Sequence, residues 1–174
     1  MSVLGREIIE IDESLSLEQL QFEDAERLFK LTDKDRERLS EFLPWPKHTK
    51  TADDSREFIK LMLQKRKDKQ EYGYGIKYNG EVAGHISLMH LDDDKRPEIG
   101  YWIASEYSGK GITTQSTKAL SDFALRELHI PEVIIRAVPE NMASNKVAEK
   151  AGYTLDGQEV GEDGKTLNVW SIAL

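Results

Sequence analysis

The 174-residue chain has no cysteine, which excludes disulfides and cysteine nucleophiles and makes a reducing cytoplasm the expected compartment. Histidine is scarce: four are scattered along the chain with no HxxxH or HxH spacing, so no metal site is expected. Positive charge is in deficit, 24 Lys and Arg against 32 Asp and Glu. The net charge of −8 argues against general nucleic-acid binding; it suits a cationic acceptor such as an amine, and equally serves solubility. No apolar run approaches the ~20 residues that span a bilayer. The start, Met1-Ser2-Val3-Leu4-Gly5-Arg6, lacks a signal-peptide pattern, so no membrane partner is expected. Internal repeats, low-complexity tracts and Pro/Ser-rich linkers are also missing, and residues 1–174 read as a single domain.

What is present is 39% hydrophobic and 32% charged residues, arranged with clear periods. Residues 6–11 and 15–21 alternate as strands. Asp24 opens a helix carrying Ala25, Leu28, Phe29 and Leu31, and helix continues through Leu39 and Phe42 until Pro44-Trp45-Pro46 stops it. Thr51-Ala52-Asp53-Asp54 has the form of a capping box ahead of the apolar stripe Phe58, Ile59, Met62 and Leu63. Tyr72–Tyr78 and Glu81–Met89 form a hairpin about Asn79-Gly80. A loop at Asp92–Lys95 precedes a strand over 97–103, and helix 110–128 buries Ile112, Leu120, Phe123, Ala124 and Leu128. Strand 133–138, helix 142–151 and a final hairpin of 153–160 with 165–173 across Asp163-Gly164 complete an α/β fold with a mixed sheet and helices on both faces.

The stretch Ser105-Glu106-Tyr107-Ser108-Gly109-Lys110-Gly111-Ile112-Thr113-Thr114 joins the strand Glu98-Ile99-Gly100-Tyr101-Trp102-Ile103 to the long helix. Two glycines strip side chains from the point where unpaired N–H groups and the positive end of a helix dipole emerge, which suits a pyrophosphate. A tight turn for close strand–helix packing is the structural alternative. The stretch is neither a Walker A loop nor a Rossmann fingerprint. About thirty residues on, Asn141-Met142-Ala143-Ser144-Asn145-Lys146-Val147-Ala148-Glu149-Lys150-Ala151-Gly152-Tyr153 reads as a polar-capped helix ending in a glycine stop.

Together the two motifs resemble those of the GNAT superfamily of N-acetyltransferases. There a Gln/Arg-x-x-Gly-x-Gly/Ala loop cradles the pyrophosphate of acetyl-CoA, and an Asn-x-x-Ser helix lies beside its pantetheine arm. Ser108 stands where a long Gln or Arg is usual, and Thr113 replaces a small residue. Ile99-Gly100-Tyr101-Trp102-Ile103, Gly109–Thr114, Pro44-Trp45-Pro46 and Ala143–Ala148 are similar to the RimJ/RimL-type branch, which acetylates ribosomal-protein N-termini.

That resemblance implies a mostly antiparallel sheet with splayed central strands and acetyl-CoA as cofactor. It also implies direct attack by an amine, in first place a protein α-amine; a small amine such as a polyamine or aminoglycoside is the alternative acceptor, and a non-catalytic acetyl-CoA-binding module the alternative role. Tyr101, Trp102, Ile103, Ser108, Gly109, Lys110, Gly111, Ile112, Thr113, Thr114, Asn141 and Ser144 are the implied cofactor contacts, the backbone of Tyr101 and Ile103 pairing with the pantetheine. Many superfamily members protonate the thiolate with a tyrosine four residues after the motif serine; Ala148 stands there, leaving Ser144 as the donor and Asn141 to orient it. Capping is their structural alternative. Glu98 is the implied general base, with Glu159 or water as rivals. Trp45, Tyr74, His85 and Tyr101 are candidates for the acceptor groove; Trp45 could instead plug the core, and His85 could be a satisfied buried histidine. Relatives of the branch allow a homodimer, which no residue of this chain fixes.

Overall fold

The computed structural model describes residues 7–174. Its strands are β1 (Ile8–Glu10), β2 (Leu15–Glu18), β3 (Tyr72–Tyr78), β4 (Glu81–Met89), β5 (Glu98–Ile103), β6 (Val133–Ala137), β7 (Thr154–Val160) and β8 (Thr166–Ile172). Its helices are α1 (Ala25–Lys34), α2 (Arg36–Ser40), α3 (Ala52–Lys67), α4 (Ile112–Asp122) and α5 (Met142–Lys150). Local chemistry sets most boundaries. Asn79 and Gly80 both take positive φ, 52° and 82°, as the tight β3–β4 turn requires. Thr51 Oγ1 accepts from Asp54 N–H at 3.3 Å while Asp54 Oδ2 accepts from Thr51 N–H at 3.1 Å, the reciprocal box that starts α3.

Several boundaries differ from the periodicity. The strand expected over 15–21 ends at Glu18, because Gln21 N–H donates to Asp24 Oδ2 at 2.8 Å and winds residues 22–24 into a 3₁₀ turn. The helix expected from 110 begins at Ile112, since Gly111 sits at φ 76° in the left-handed region. Its last turn, 123–127, widens to a π-turn in which Leu128 N–H reaches back to Phe123 O. The strand expected to start at Arg6 begins at Ile8, and Arg6 lies outside the described residues.

The sheet runs β1-β2-β3-β4-β5-β6-β8-β7, antiparallel at every junction except β5–β6. Helices cover both faces. On one, α1 and α3 pack against each other and lie over β4 and β3; on the other, α4 crosses β2, β4 and β5 while α5 packs on β6, β7 and β8. Alternation along β4 and β5 sorts side chains between these layers. His85 pairs with Trp102 and Ser87 with Gly100, so these four face α1 and α3; Ile86 pairs with Tyr101 and faces α4 and α5. Leu17, Tyr74, Ile76, Ile86, Leu88, Ile99 and Leu120 are wholly buried at the core.

Candidate active site

The β5–β6 junction is where the sheet opens. β5 pairs with β4 from Glu98 to Ile103, yet meets β6 only at Glu98↔Ile134. Ile134 N–H donates to Pro97 O at 2.9 Å, and Ala104 N–H donates to Ala83 O at 2.9 Å on the other edge. Backbone polar groups alternate sides along a strand, so the N–H and C=O of Tyr101 and Ile103 point into the splay. Buried backbone groups demand partners. The carbonyl of Ile103 has one: Arg38 Nη2, from α2, donates to it at 2.6 Å. Arg38 is anchored by Asp35 at 3.2 Å, and Asp35 also accepts from Ser105 N–H at 2.6 Å and Ser105 Oγ at 2.7 Å.

The cradle follows immediately. Gly109 and Gly111 take φ of 79° and 76°, conformations that favour glycine. A Cβ on Gly109 would meet nothing within 4 Å, so open space lies above the loop. The first backbone bond of α4 runs from Gln115 N–H to Gly111 O, no side chain caps the helix, and the N–H groups of 109–114 have no acceptor among the described residues. A row of free donors at the start of an eleven-residue helix fits a pyrophosphate. Two members of the expected contact set turn elsewhere: Ser108 Oγ donates back to Ser105 O at 2.6 Å, and Lys110 Nζ lies 5.6 Å over the Tyr78 ring. The backbone of this loop, more than its side chains, makes the cradle.

Across the splay, Asn141 Oδ1 accepts from Ser144 N–H at 3.2 Å and caps α5. Ser144 Oγ donates to Tyr101 Oη at 3.2 Å, and Tyr101 Oη donates to Ser144 O at 2.8 Å. The sequence suggests the Tyr101 backbone for the cofactor and its side chain for the acceptor groove; the contact of its phenol with Ser144, 43 residues on, is the unforeseen feature. Burial pushes its pKa up to about 12, with the Ser144 hydrogen bond opposing, so the phenol keeps its proton at neutral pH. Asn145, also unforeseen, locks the helix in place. Its Nδ2 donates to Val138 O at 3.0 Å and Asn141 O at 2.8 Å; its Oδ1 accepts from Asn168 at 3.0 Å and Trp170 Nε1 at 2.8 Å.

Glu98 and Glu159 are brought together by a residue the motifs did not flag. Arg136 Nε donates to Glu98 Oε1 at 3.0 Å and Arg136 Nη1 to Glu159 Oε1 at 3.0 Å. Glu98 is 8% exposed; burial raises its pKa, opposed by the charge and hydrogen bond of Arg136. A cavity of about 290 Å³ has Glu98, Arg136, Tyr101, Asn141 and Ser144 on its walls. A smaller one of about 150 Å³ continues past Ile103 and Thr113 toward the cradle.

On the α1/α3 face of β5 lies a third cavity, about 380 Å³, with Trp45, His85, Tyr101 and Trp102 in its lining. Trp45 therefore lines a cavity, its ring 5.6 Å from that of Trp102. Tyr74 does not belong to the groove: it pairs with Ile86, faces away from His85 and is wholly buried. His85 is buried as expected, its ring packed edge-on against Phe58 at 5.1 Å and making no hydrogen bond among the described residues. Burial, then Arg66, lowers its pKa to about 4, and the ring is neutral.

Among the described residues no group of three or more His, Cys, Asp or Glu could hold a metal ion, and no helix is long and apolar enough to cross a membrane. A sequence profile of the acetyltransferase (GNAT) domain matches residues 14–154. The Bacillus subtilis protein YdaF, whose name assigns it provisionally to ribosomal N-acetylation, is 34% identical over 160 residues, spanning 91% of this chain and 86% of its own length. A ribosomal-protein-serine acetyltransferase of Escherichia coli is 28% identical over 158 residues, 87% of this chain and 85% of that one. Among solved structures, the ribosomal-protein alpha-N-acetyltransferase RimL in complex with coenzyme A superposes with a TM-score of 0.88 at 25% identity, covering 97% of this chain and 98% of that one.

Proposed function

The chain belongs to the GNAT acetyltransferase family, and from that premise we propose that it transfers acetyl from acetyl-CoA to the α-amino group of a protein N-terminus by direct attack in a ternary complex. The observation that carries the reading is the splay. One strand offers unpaired backbone on its β6 side, next to a helix start with six free donors and opposite a hydroxyl pair. Acetyl-CoA supplies the acyl group already activated as a thioester.

In this proposal the N–H groups of 109–114 hold the pyrophosphate, and Tyr101 and Ile103 pair with the pantetheine arm. Ser144, with the Tyr101 phenol behind it, delivers a proton to the departing sulfur; Asn141 fixes the helix turn from which Ser144 acts. Cysteine being absent, no acyl-cysteine forms on the protein. Glu98, directly or through water, takes the proton of the attacking amine, and Arg136 opposes the rise in pKa that burial imposes on that carboxylate. An α-amine titrates near ~8, so the base has little to do at neutral pH.

The named relatives support a ribosomal-protein acceptor, and the lack of cysteine supports a cytoplasmic setting for one catalytic domain. The test is CoA release with Ser- and Ala-initiated peptides, whole ribosomal proteins, spermidine and an aminoglycoside, with mass spectrometry locating the acetyl group. Acetyl on a protein α-amine is the expected result; turnover confined to small amines would move the acceptor to metabolites or drugs. Acetyl-CoA binding with no turnover of any amine would leave a sensor module.

A further inference from the structure

The 380 Å³ cavity beneath residues 43–49 is of the size that receives an organic group, and its walls say which kind. Leu28, Leu43, Phe58, Met89 and the two tryptophans make it largely apolar. The one carboxylate in its lining is already engaged: Glu71 accepts from Ser87 Oγ at 2.5 Å and pairs with Lys65 at 3.3 Å. Two polar side chains in the lining are left over. Ser55 is 2% exposed and His85 6% exposed, and neither makes a hydrogen bond among the described residues. Both line one apolar cavity, where a ligand's own donor or acceptor can hydrogen-bond them.

The cavity also reaches the chemistry. Gly100, Tyr101 and Leu43 line both it and the cleft that holds Glu98 and Ser144. Gly100 contributes no side chain at that junction, and a Cβ there would approach Met89 at 3.0 Å. A body seated under Trp45 can thus present an amine through the gap at Gly100.

We propose that this cavity is the specificity pocket for the acceptor and takes an uncharged, mainly apolar side chain next to the reacting amine, with Ser55 and His85 hydrogen-bonding a hydroxyl carried on it. The inference rests on the acetyltransfer reading and sharpens its acceptor. Polyamines are poor occupants, because the neutral histidine and the engaged glutamate offer a second ammonium nothing.

The test compares kcat/KM for peptides varied among Phe, Tyr, Leu, Asp and Lys in the first two residues, alongside spermidine. The apolar and tyrosyl peptides should lead the charged ones and spermidine by at least about tenfold, as apolar-pocket discrimination typically gives. In Ser55→Ala and His85→Leu the preference for Tyr over Phe should fall toward one, with acetyl-CoA affinity measured by calorimetry to report on folding. Charged peptides or spermidine used as well as apolar ones, or a Tyr-to-Phe ratio unmoved in both folded variants, would overturn the pocket assignment alone. No turnover with any amine would overturn the acetyltransfer reading and this inference with it.

Discussion

Along β4, strand β5 pairs residue for residue from Glu98 to Ile103; along β6 it pairs at Glu98 and nowhere else. The paired edge fixes which side chain goes to which face. The unpaired edge leaves backbone groups that must be satisfied from outside the sheet. Alternation divides the work further: Tyr101 reaches the polar cleft and Ser144, while Trp102 and the bare Gly100 look into the apolar cavity. Glu98 shares the strand face of Gly100 and Trp102, so the proposed base and the apolar cavity lie on one side of β5 and the Tyr101–Ser144 pair on the other. Side chains on one face can be altered without dismantling the other, provided the β4 pairing holds.

The largest expected effect comes from closing the open edge at its phosphate end. Gly111→Glu forces a side chain into the left-handed region, costing roughly 1–2 kcal/mol, and sets a carboxylate among donors meant for an anion. Acetyl-CoA affinity by calorimetry should fall more than about 100-fold, a free-energy loss near ~3 kcal/mol. Unchanged binding would remove the cradle from the cofactor site. Next, Tyr101→Phe should lower kcat about 100-fold while acetyl-CoA affinity stays within a few-fold, the scale of a lost proton-transfer group. Ser144→Ala should do the same, and the double variant should be no worse than the poorer single one, because the two hydroxyls act as one unit. Additive losses would show that they act independently.

A further variant attacks the support of the cleft. Asn145→Ala leaves Trp170 Nε1, Asn168 Nδ2 and Val138 O without their partner. Stability should drop by about 2 kcal/mol and the thermal midpoint by roughly 4–8 °C. Calorimetry that found no shift would mean water replaces the amide at no cost.

The smallest effect is a change in pH dependence. Glu98 is faced by Arg136, His90 and Glu159, and burial already holds its pKa above the ordinary carboxylate value. Its protonated form is thus favoured by folding, a contribution complete below the unfolded pKa and lost as pH rises through the folded one. Arg136→Met removes the main opposing charge, so Glu98 should titrate at still higher pH. The acid limb of kcat/KM should move up in Arg136→Met and stay near its original place in Arg136→Lys. A limb that ignores both substitutions would pass the role of base from Glu98 to water.

The sequence disclosed these two edges unevenly. The hairpin at Asn79-Gly80, the box at Thr51, the glycine cradle and the Asn141 cap depend on residues within a few positions of one another, and each is where its local chemistry puts it. Arg136 between Glu98 and Glu159 depends on β8 lying between β6 and β7, and the phenol of Tyr101 against Ser144 depends on α5 crossing the splay. No local period encodes either. Tyr74 was misplaced although its alternation was readable: Tyr72, Tyr74 and Ile76 share one face with glycines between them, and only the β4 register shows that His85 takes the other. Asn145 sat unnoticed inside a motif, since three of its four partners, Val138, Asn168 and Trp170, lie on segments that the motif does not include.

The bond from Arg38 to the carbonyl of Ile103 has a kinetic meaning. An incoming amide that uses this carbonyl finds it already taken, so the guanidinium has to let go before the arm can settle. Association should then proceed in two stages, with an observed rate that climbs with acetyl-CoA concentration and levels off at the rate of release. In Arg38→Met, stopped-flow traces should lose that plateau.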